Sequence, residues 1–393
     1  MNSDPVVILA ARRTPVGAFQ GVFATVTAPQ LGSAAIKAAL ADSGAAAPSV
    51  DEVILGCVLS AGIGQAPARQ AALGGGIPAS VPTTTVNKMC GSAMRAVMLG
   101  CDQILAGTAQ IVVAGGIESM TNAPYLLPKA RAGYRMGNQE VLDHMFYDGL
   151  QSPWDGQLMG CFAEATSEKY AFSRKAQDDF AAESVRRALA AVTNGAFAAE
   201  IAAVTAKSRK GEAVIDKDET PFTLDVAKIP TLKPAFKKDG TVTAASSSSI
   251  SDGAAALVLT RASIAASRGL RPLARILGYT SFAREPEWFT LAPVGAIAKL
   301  LKQLNWQPGD VDLYEINEAF AAVPMAAIKD LGLDHGKVNV NGGACALGHP
   351  IGATGARIMT TLLHALRARG LKRGIASLCI GGGEATAIAV EVV

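Results

Sequence analysis

Aromatic side chains make up only 5% of the 393 residues, and charged ones 18%, against ~25% in an ordinary globular domain. Histidine occurs four times and cysteine six times. The cysteines (Cys57, Cys90, Cys101, Cys161, Cys345 and Cys379) contain no Cys-x-x-Cys pair, and the histidines no His-x-x-x-His pair. A disulfide framework and a zinc site are therefore not expected. The net charge of +3 argues against nucleic acid or an anionic membrane as the main partner. The apolar run Val6-Val7-Ile8-Leu9-Ala10 is too short for a membrane span or signal peptide, and Arg12-Arg13 follow it. The end, Val390-Glu391-Val392-Val393, carries no lipidation or targeting pattern. A cytoplasmic protein is expected. What is abundant is small and apolar: half the residues are hydrophobic and 40 are glycine. That composition excludes disorder, and the length suggests two or three domains at ~150 residues each.

The chain rhymes with itself. A helical run from Pro29-Gln30-Leu31-Gly32 leads to Val50-Asp51-Glu52-Val53-Ile54-Leu55, and one from Pro293-Val294-Gly295 leads to Val311-Asp312-Leu313-Tyr314-Glu315-Ile316. Val50-Asp51 and Val311-Asp312 lie 261 residues apart. Cys90-Gly91-Ser92-Ala93 opens a helix, then the strand Ile111–Ala114 and Gly115-Gly116-Ile117-Glu118; Gly348-His349-Pro350-Ile351-Gly352 opens another, then the strand Ile375–Cys379 and Gly381-Gly382-Gly383-Glu384. Cys90 and His349 are 259 apart. Repetition in one order at nearly one offset predicts two duplicated α/β halves. Residues 119–250 differ: they hold 32 of the 69 charged residues. They are too long for a plain loop and read as an inserted subdomain. The expected division is 1–118 plus 251–271 for the first half, 119–250 for the insertion, and 272–393 for the second half.

Four stretches can carry chemistry. Cys90 stands between the β-branched Thr83-Thr84-Thr85-Val86 and a helix, at the positive end of its dipole. A free thiol of pKa ~8.5 is only about 3% thiolate at neutral pH, and a dipole worth ~1 kcal/mol lowers its pKa by less than one unit. A base is needed. His349 lies in a segment with five glycines in fourteen residues, 342–355, where backbones approach closely. Cys379 ends an apolar strand before Ile380-Gly381-Gly382-Gly383, whose N–H groups could cradle an oxyanion. Asn317, in Asn317-Glu318-Ala319-Phe320, follows a strand and could hold a water or cap a helix.

These motifs, with Ala11-Arg12-Arg13-Thr14-Pro15 and Gly64-Gln65-Ala66-Pro67-Ala68-Arg69-Gln70, resemble the thiolase family along essentially the whole chain. The resemblance implies a duplicated five-layer α/β/α/β/α fold with an inserted loop domain. It implies reversible, ping-pong condensation of two acetyl-CoA to acetoacetyl-CoA and CoA. Cys90 would become acylated and His349 would take its proton. Cys379 would remove an α-proton from the second acetyl-CoA, and Asn317 would hold a water by the enolate oxygen. The N–H groups of Cys90 and Gly381 would form an oxyanion hole. Met159 would line the acyl pocket; Leu150, Lys228, Ala244, Ser248, Ala319 and Phe320 would line the CoA path. CoA thioesters are substrates, no metal or redox cofactor is implied, and self-association to a dimer or tetramer is expected, with Pro124–Tyr134 as an assembly loop.

The sequence departs from the family pattern at Ala93, where a glycine is usual, and at Leu158, where biosynthetic members often carry histidine. It also departs in the serine run Ser246–Ser249. An arginine that some relatives place near Phe222 is absent, leaving Lys228, Lys207 or Arg209 for the CoA phosphates. The alternatives are a thiolase for longer 3-oxoacyl-CoA, a ketoacyl-carrier-protein synthase and a non-catalytic acyl-CoA binder. The synthases generally place His or Asn at the Cys379 position. A mere binder has no need of two cysteines, His349 and Asn317 in motif.

Overall fold

The computed structural model describes residues 4–208 and 211–393. Arg209 therefore lies outside the described residues. The first half contains β1 (Val6–Arg13), β2 (Glu52–Gly56), β3 (Thr83–Val86), β4 (Ile111–Ser119) and β5 (Ser251–Arg261). The second half contains β6 (Ala274–Ala283), β7 (Leu313–Ile316), β8 (Arg373–Ile380) and β9 (Glu384–Val392). The spatial order is β7-β8-β9-β6-β1-β5-β4-β2-β3. Each half pairs its strands parallel toward the outer end of the order (β2 with β3 and β4; β7 with β8) and antiparallel toward the seam. Among the described residues the halves meet edge to edge through the pairs Val7–Arg275 and Ile8–Ala274 and the Leu273 N–H to Ile8 O bond (2.7 Å). Both outer strands at that seam carry a bulge at the same point, between Ile8 and Ala10 in β1 and between Ile276 and Gly278 in β6. A shared irregularity is a stronger mark of duplication than a shared strand.

The helices follow the same repetition. α1 (Ala28–Ser43) starts on a Thr27–Gln30 capping box and stops at Gly44 in the left-handed region. α1 and α2 (Pro67–Gly74) cover the outer face of the first sheet. α3 is Ser92–Ala106, α4 Met159–Tyr170, α5 Arg174–Thr193, α6 Ala292–Leu304 and α7 Ala322–Leu331. α8 is Thr354–Ala368. α6 and α7 cover the outer face of the second sheet. α3 and α8 are each fifteen residues long and start 262 residues apart. They pack on each other between the two sheets, in one cluster with Ile8, Val112, Leu257, Leu378 and Ile388. The layers are thus α/β/α/β/α, as the motifs implied.

A helix pair inside two sheets leaves no room for bulk, which accounts for the shortage of aromatics. A Cβ at Gly355 of α8 would stand 2.4 Å from the Met94 amide nitrogen of α3, so a larger residue would push the central helices apart. Between β4 and β5 the chain runs through α4, α5, the hairpin Val204–Ser208/Gly211–Ile215 and short 3₁₀ turns. Arg13 ties this stretch to the core: its fully buried guanidinium donates to Glu200 (2.5 Å) and to both Asp218 oxygens (2.7 and 2.9 Å).

Candidate active site

The two central helices begin at one place. Cys90 occupies the turn from β3 into α3, and His349 the turn into α8. Neither N-terminus has a side-chain cap; tight backbone turns take up the Ser92 N–H (to Met89 O, 2.9 Å) and the Thr354 N–H (to Pro350 O, 3.0 Å) instead.

The Cys90 turn is sharply built. Met89 has φ 47°, a left-handed conformation that costs a non-glycine residue of order 1 kcal/mol. The Asn87 side chain accepts from the Met89 N–H (2.9 Å). Ser92 Oγ accepts from the Lys88 N–H (2.8 Å) and donates to the Met89 carbonyl (2.6 Å). Lys88 is tied to Glu384 of β9 by an ion pair. These contacts hold the thiol above the helix. The N–H groups of Gly381 and of Cys90 itself both act on the Cys90 sulfur and favour its thiolate. Burial outweighs them: the thiol is pushed up to about 11, with Glu118 adding to the rise. The helix dipole therefore does not leave Cys90 with a lowered pKa, because desolvation of the thiolate is the larger effect.

Cys379 ends β8 with no exposed surface. Burial, and then the neighbouring Cys90, raise its thiol well above the ordinary range. A Cβ on Gly91 would come 2.4 Å from Ile380 Cδ1, so the Cys90 and Cys379 loops touch through a glycine. Across them stands His349, 5% exposed. Gly348, at φ 103°, lets the chain pass Ser251, whose Oγ would lie 2.1 Å from any Cβ there. The His349 N–H donates to Ser249 O (3.1 Å).

The contacts of the imidazole favour one tautomer. Thr354 Oγ1 donates to Pro350 O (2.8 Å), so its lone pair must face His349 Nδ1 at 2.6 Å. Nδ1 therefore carries the proton, and Nε2, buried without a partner, is the free base. Burial first, and then the charge of Arg357, lower the imidazole to about 3. Asn317 is 1% exposed, and its side-chain nitrogen and oxygen both lack partners. It caps no helix, since α7 begins after Ala321 without a side-chain cap. Buried polar groups are ordinarily satisfied; two residues of the same motif set left open mark a place kept for a polar guest.

The other sequence-chosen residues surround this focus. Leu150 packs in one cluster with Cys90 and Ile351. Met159, Ala319 and Phe320 pack with Cys379, and Met159 Sδ lies 3.7 Å from a Cβ built at Gly381. The Ser248 N–H donates to Ala319 O (3.0 Å), and Ser247 bridges to Phe320. Ala244 is exposed. Lys228 is 77% exposed and only 3.5 Å from Asp225. Ile229 beside it shares a cluster with Ala245, so Lys228 lies on the Ala244 side. Lys207 is elsewhere: it pairs with Glu212 (2.9 Å) in the hairpin that packs through Val204 and Ala206 on the α1 layer.

Sequence reasoning missed three residues. Thr354 orients the imidazole, Met89 carries the strain, and Glu118 clamps the loops. The Glu118 carboxyl accepts from Val58 (3.1 Å), Leu59 (3.2 Å) and Gly352 (2.9 Å) N–H groups. Burial pushes it up to about 7. A threonine five residues after the histidine was a usable signal; nothing local marks Met89 or Glu118.

Fold and comparisons together define a class, an acyl-transferring enzyme. Residues 6–263 match the family Thiolase, N-terminal domain, and residues 270–392 the family Thiolase, C-terminal domain. The chain is 50% identical over 390 residues to an acetyl-CoA acetyltransferase of Cupriavidus necator, covering 98% of this chain and 99% of that protein. It is 49% identical to one of Escherichia coli, covering 98% of each. A crystal structure of the Bacillus anthracis acetyl-CoA acetyltransferase superposes with a TM-score of 0.97 at 43% identity, covering 99% of both chains. The Acat5 thiolase of Ascaris suum, solved in complex with coenzyme A, superposes at 0.94 and 42% identity, covering 99% of this chain and 100% of that one. The chain belongs to the thiolase family.

Proposed function

We propose that this thiolase is an acetyl-CoA C-acetyltransferase. It joins two acetyl-CoA into acetoacetyl-CoA and CoA, reversibly, through an acetyl-Cys90 intermediate. The observation that carries the reading is the buried, unpartnered His349 Nε2 in a loop that packs on half-buried Cys90 through Ile351, with buried Cys379 next to Cys90. The neutral Cys90 thiol gives its proton to Nε2 as sulfur attacks the acetyl carbonyl. The Cys90 and Gly381 N–H groups receive the oxyanion, the strongest use of preorganised donors. The CoA thiolate leaves with the proton of the Cys379 thiol, so Cys379 becomes a thiolate while His349 keeps the Cys90 proton. The second acetyl-CoA loses an α-proton to the Cys379 thiolate. Its enolate oxygen is held by protonated His349 Nε2 and by a water on the Asn317 amide. The enolate carbon attacks acetyl-Cys90, and the Cys90 thiolate departs and takes its proton back from His349 Nε2. Thiols, imidazole and amides suffice, and the chemistry asks for no metal or redox cofactor.

Met159 and Phe320 limit the acyl pocket and favour a short acyl group. Lys228, only weakly held by Asp225, is the side chain free to meet a CoA phosphate. Among the described residues no helix is long and apolar enough to cross a membrane; the setting we propose is cytoplasmic. Exposed Tyr125 (68%), Leu127 (50%) and Met136 (90%) make the segment after β4 a surface for self-association to a dimer or tetramer. A thiolysis series over 3-oxoacyl-CoA chain lengths tests the specificity. Turnover should peak at the four-carbon substrate; faster cleavage at eight carbons would make it a long-chain enzyme.

A further inference from the structure

Arg357 takes no part in the acyl transfer above, yet it is among the largest fully buried side chains. Its Nε, Nη1 and Nη2 have no hydrogen-bond partner. The described ion pair it makes is with Glu315, Nη1 to Oε2 at 3.8 Å, beyond hydrogen-bonding reach. Arg13 shows the contrast: equally buried, it is bonded to two carboxylates at 2.5–2.9 Å. Burying a charge with so little compensation costs several kcal/mol, and no packing argument requires a cation there.

Its address supplies the reason. Thr354 and Arg357 are three residues apart in α8 and share a helix face. Thr354 holds His349 Nδ1. Glu315 stands in β7 two residues before Asn317. Arg357 thus lies behind the imidazole and the amide together. The charged groups around it are Glu315, Glu318, Glu200 and Arg13; the thiols of Cys90 and Cys379 lie on the substrate side. Its charge is only partly compensated: burial raises the Glu315 carboxyl and lowers the Arg357 guanidinium, Glu200 is bonded to Arg13, and Glu318 is committed to Ser184, Asn339 and the Cys345 N–H.

We propose that Arg357 is a positioning residue of the acyl-transfer site, whose buried guanidinium, without a hydrogen-bond partner, adds to burial in keeping the His349 imidazole neutral with Nε2 open to the Cys90 proton. The inference rests on the role given to His349 above. Its consequence is a resting pair of neutral thiol and neutral imidazole rather than an ion pair.

The test uses the full chain labelled with ¹⁵N-histidine, as wild type, Arg357→Lys, Arg357→Met and Arg357→Gln. The His349 ring signals are followed from about pH 5 to 8, and single-turnover acetylation of Cys90 by acetyl-CoA is measured over the same range. Wild type and Arg357→Lys should keep a neutral, Nδ1-protonated ring throughout. Arg357→Met should bring the protonation midpoint up by at least one pH unit, toward the ordinary ~6.5. The acid limb of acetylation should move with it. A folded Arg357→Met protein with wild-type ring signals and an unmoved acid limb would overturn the proposal. So would wild-type protonation near pH 6.5. If Arg357→Met does not fold, Arg357→Gln is read by the same two criteria. Absence of acetyl-Cys90 in the wild type would refute the functional reading instead, while the ring titration still decides the role of Arg357.

Discussion

Thr354→Val replaces the hydroxyl that accepts from His349 Nδ1 (2.6 Å) by a methyl group of nearly equal size. Helix α8 and its packing should survive, because Thr354 is the first helical residue. The imidazole then has a buried Nδ1–H with nothing to donate to, at a cost of roughly 1–3 kcal/mol. With Nδ1–H no longer preferred, the proton is shared with Nε2, and each ring protonated there has lost the base that faces Cys90. At about 1.4 kcal/mol per factor of ten, acetylation should slow by roughly 5- to 100-fold. Binding of acetyl-CoA should change little, since no contact to the CoA path is altered. Rapid-quench measurement of [¹⁴C]acetyl transfer to enzyme separates the two effects, and Thr354→Ser should restore most of the rate. Acetylation by Thr354→Val within twofold of wild type would refute the assignment of Nε2 as the base.

Three further outcomes follow from other contacts. Glu118 is raised in the folded chain to about 7 from 4.5. The native state therefore binds more protons between those values, and ionising Glu118 costs stability as pH rises through that window, by about 3 kcal/mol in all. Urea midpoints compared at pH 5 and 7.5 should show that increment in wild type relative to Glu118→Gln; equal pH dependence in both would contradict it. Gly91→Ala sets a Cβ 2.4 Å from Ile380 Cδ1. Overpacking of about 1–3 kcal/mol should be relieved by moving the Cys379 loop, with condensation falling at least tenfold in a folded enzyme; unchanged condensation would show that the loop spacing is not critical. Met159→Ala removes the thioether facing Gly381, and thiolysis of six-carbon relative to four-carbon substrate should rise several-fold. An unchanged ratio would place the acyl pocket elsewhere.

The motifs made the architecture legible because a duplicated fold writes its signal twice. Cys90 and His349 head equivalent helices, and the offset between the repeats, 259 to 261 in the motifs, is 262 between α3 and α8. Local sequence could not disclose effects created by distant packing. The depth of burial that pushes Cys90 up rather than down arises from β8, α8 and the Leu150 segment closing over it. Glu118 reads as an ordinary strand-end carboxylate until Val58, Leu59 and Gly352 arrive from two other loops. Lys207 looked equivalent to Lys228 as a basic residue of the insertion; only the chain path separates them, placing Lys207 on the α1 layer.

Cys379→Ala is the variant that isolates the central claim, because it removes the carbon-acid base and leaves the nucleophile in place. Incubated with acetyl-CoA alone and digested for mass spectrometry, it should carry one acetyl group on the peptide containing Cys90 and produce no acetoacetyl-CoA. An unmodified Cys90 peptide, or an acetyl group found on another cysteine, would contradict the account.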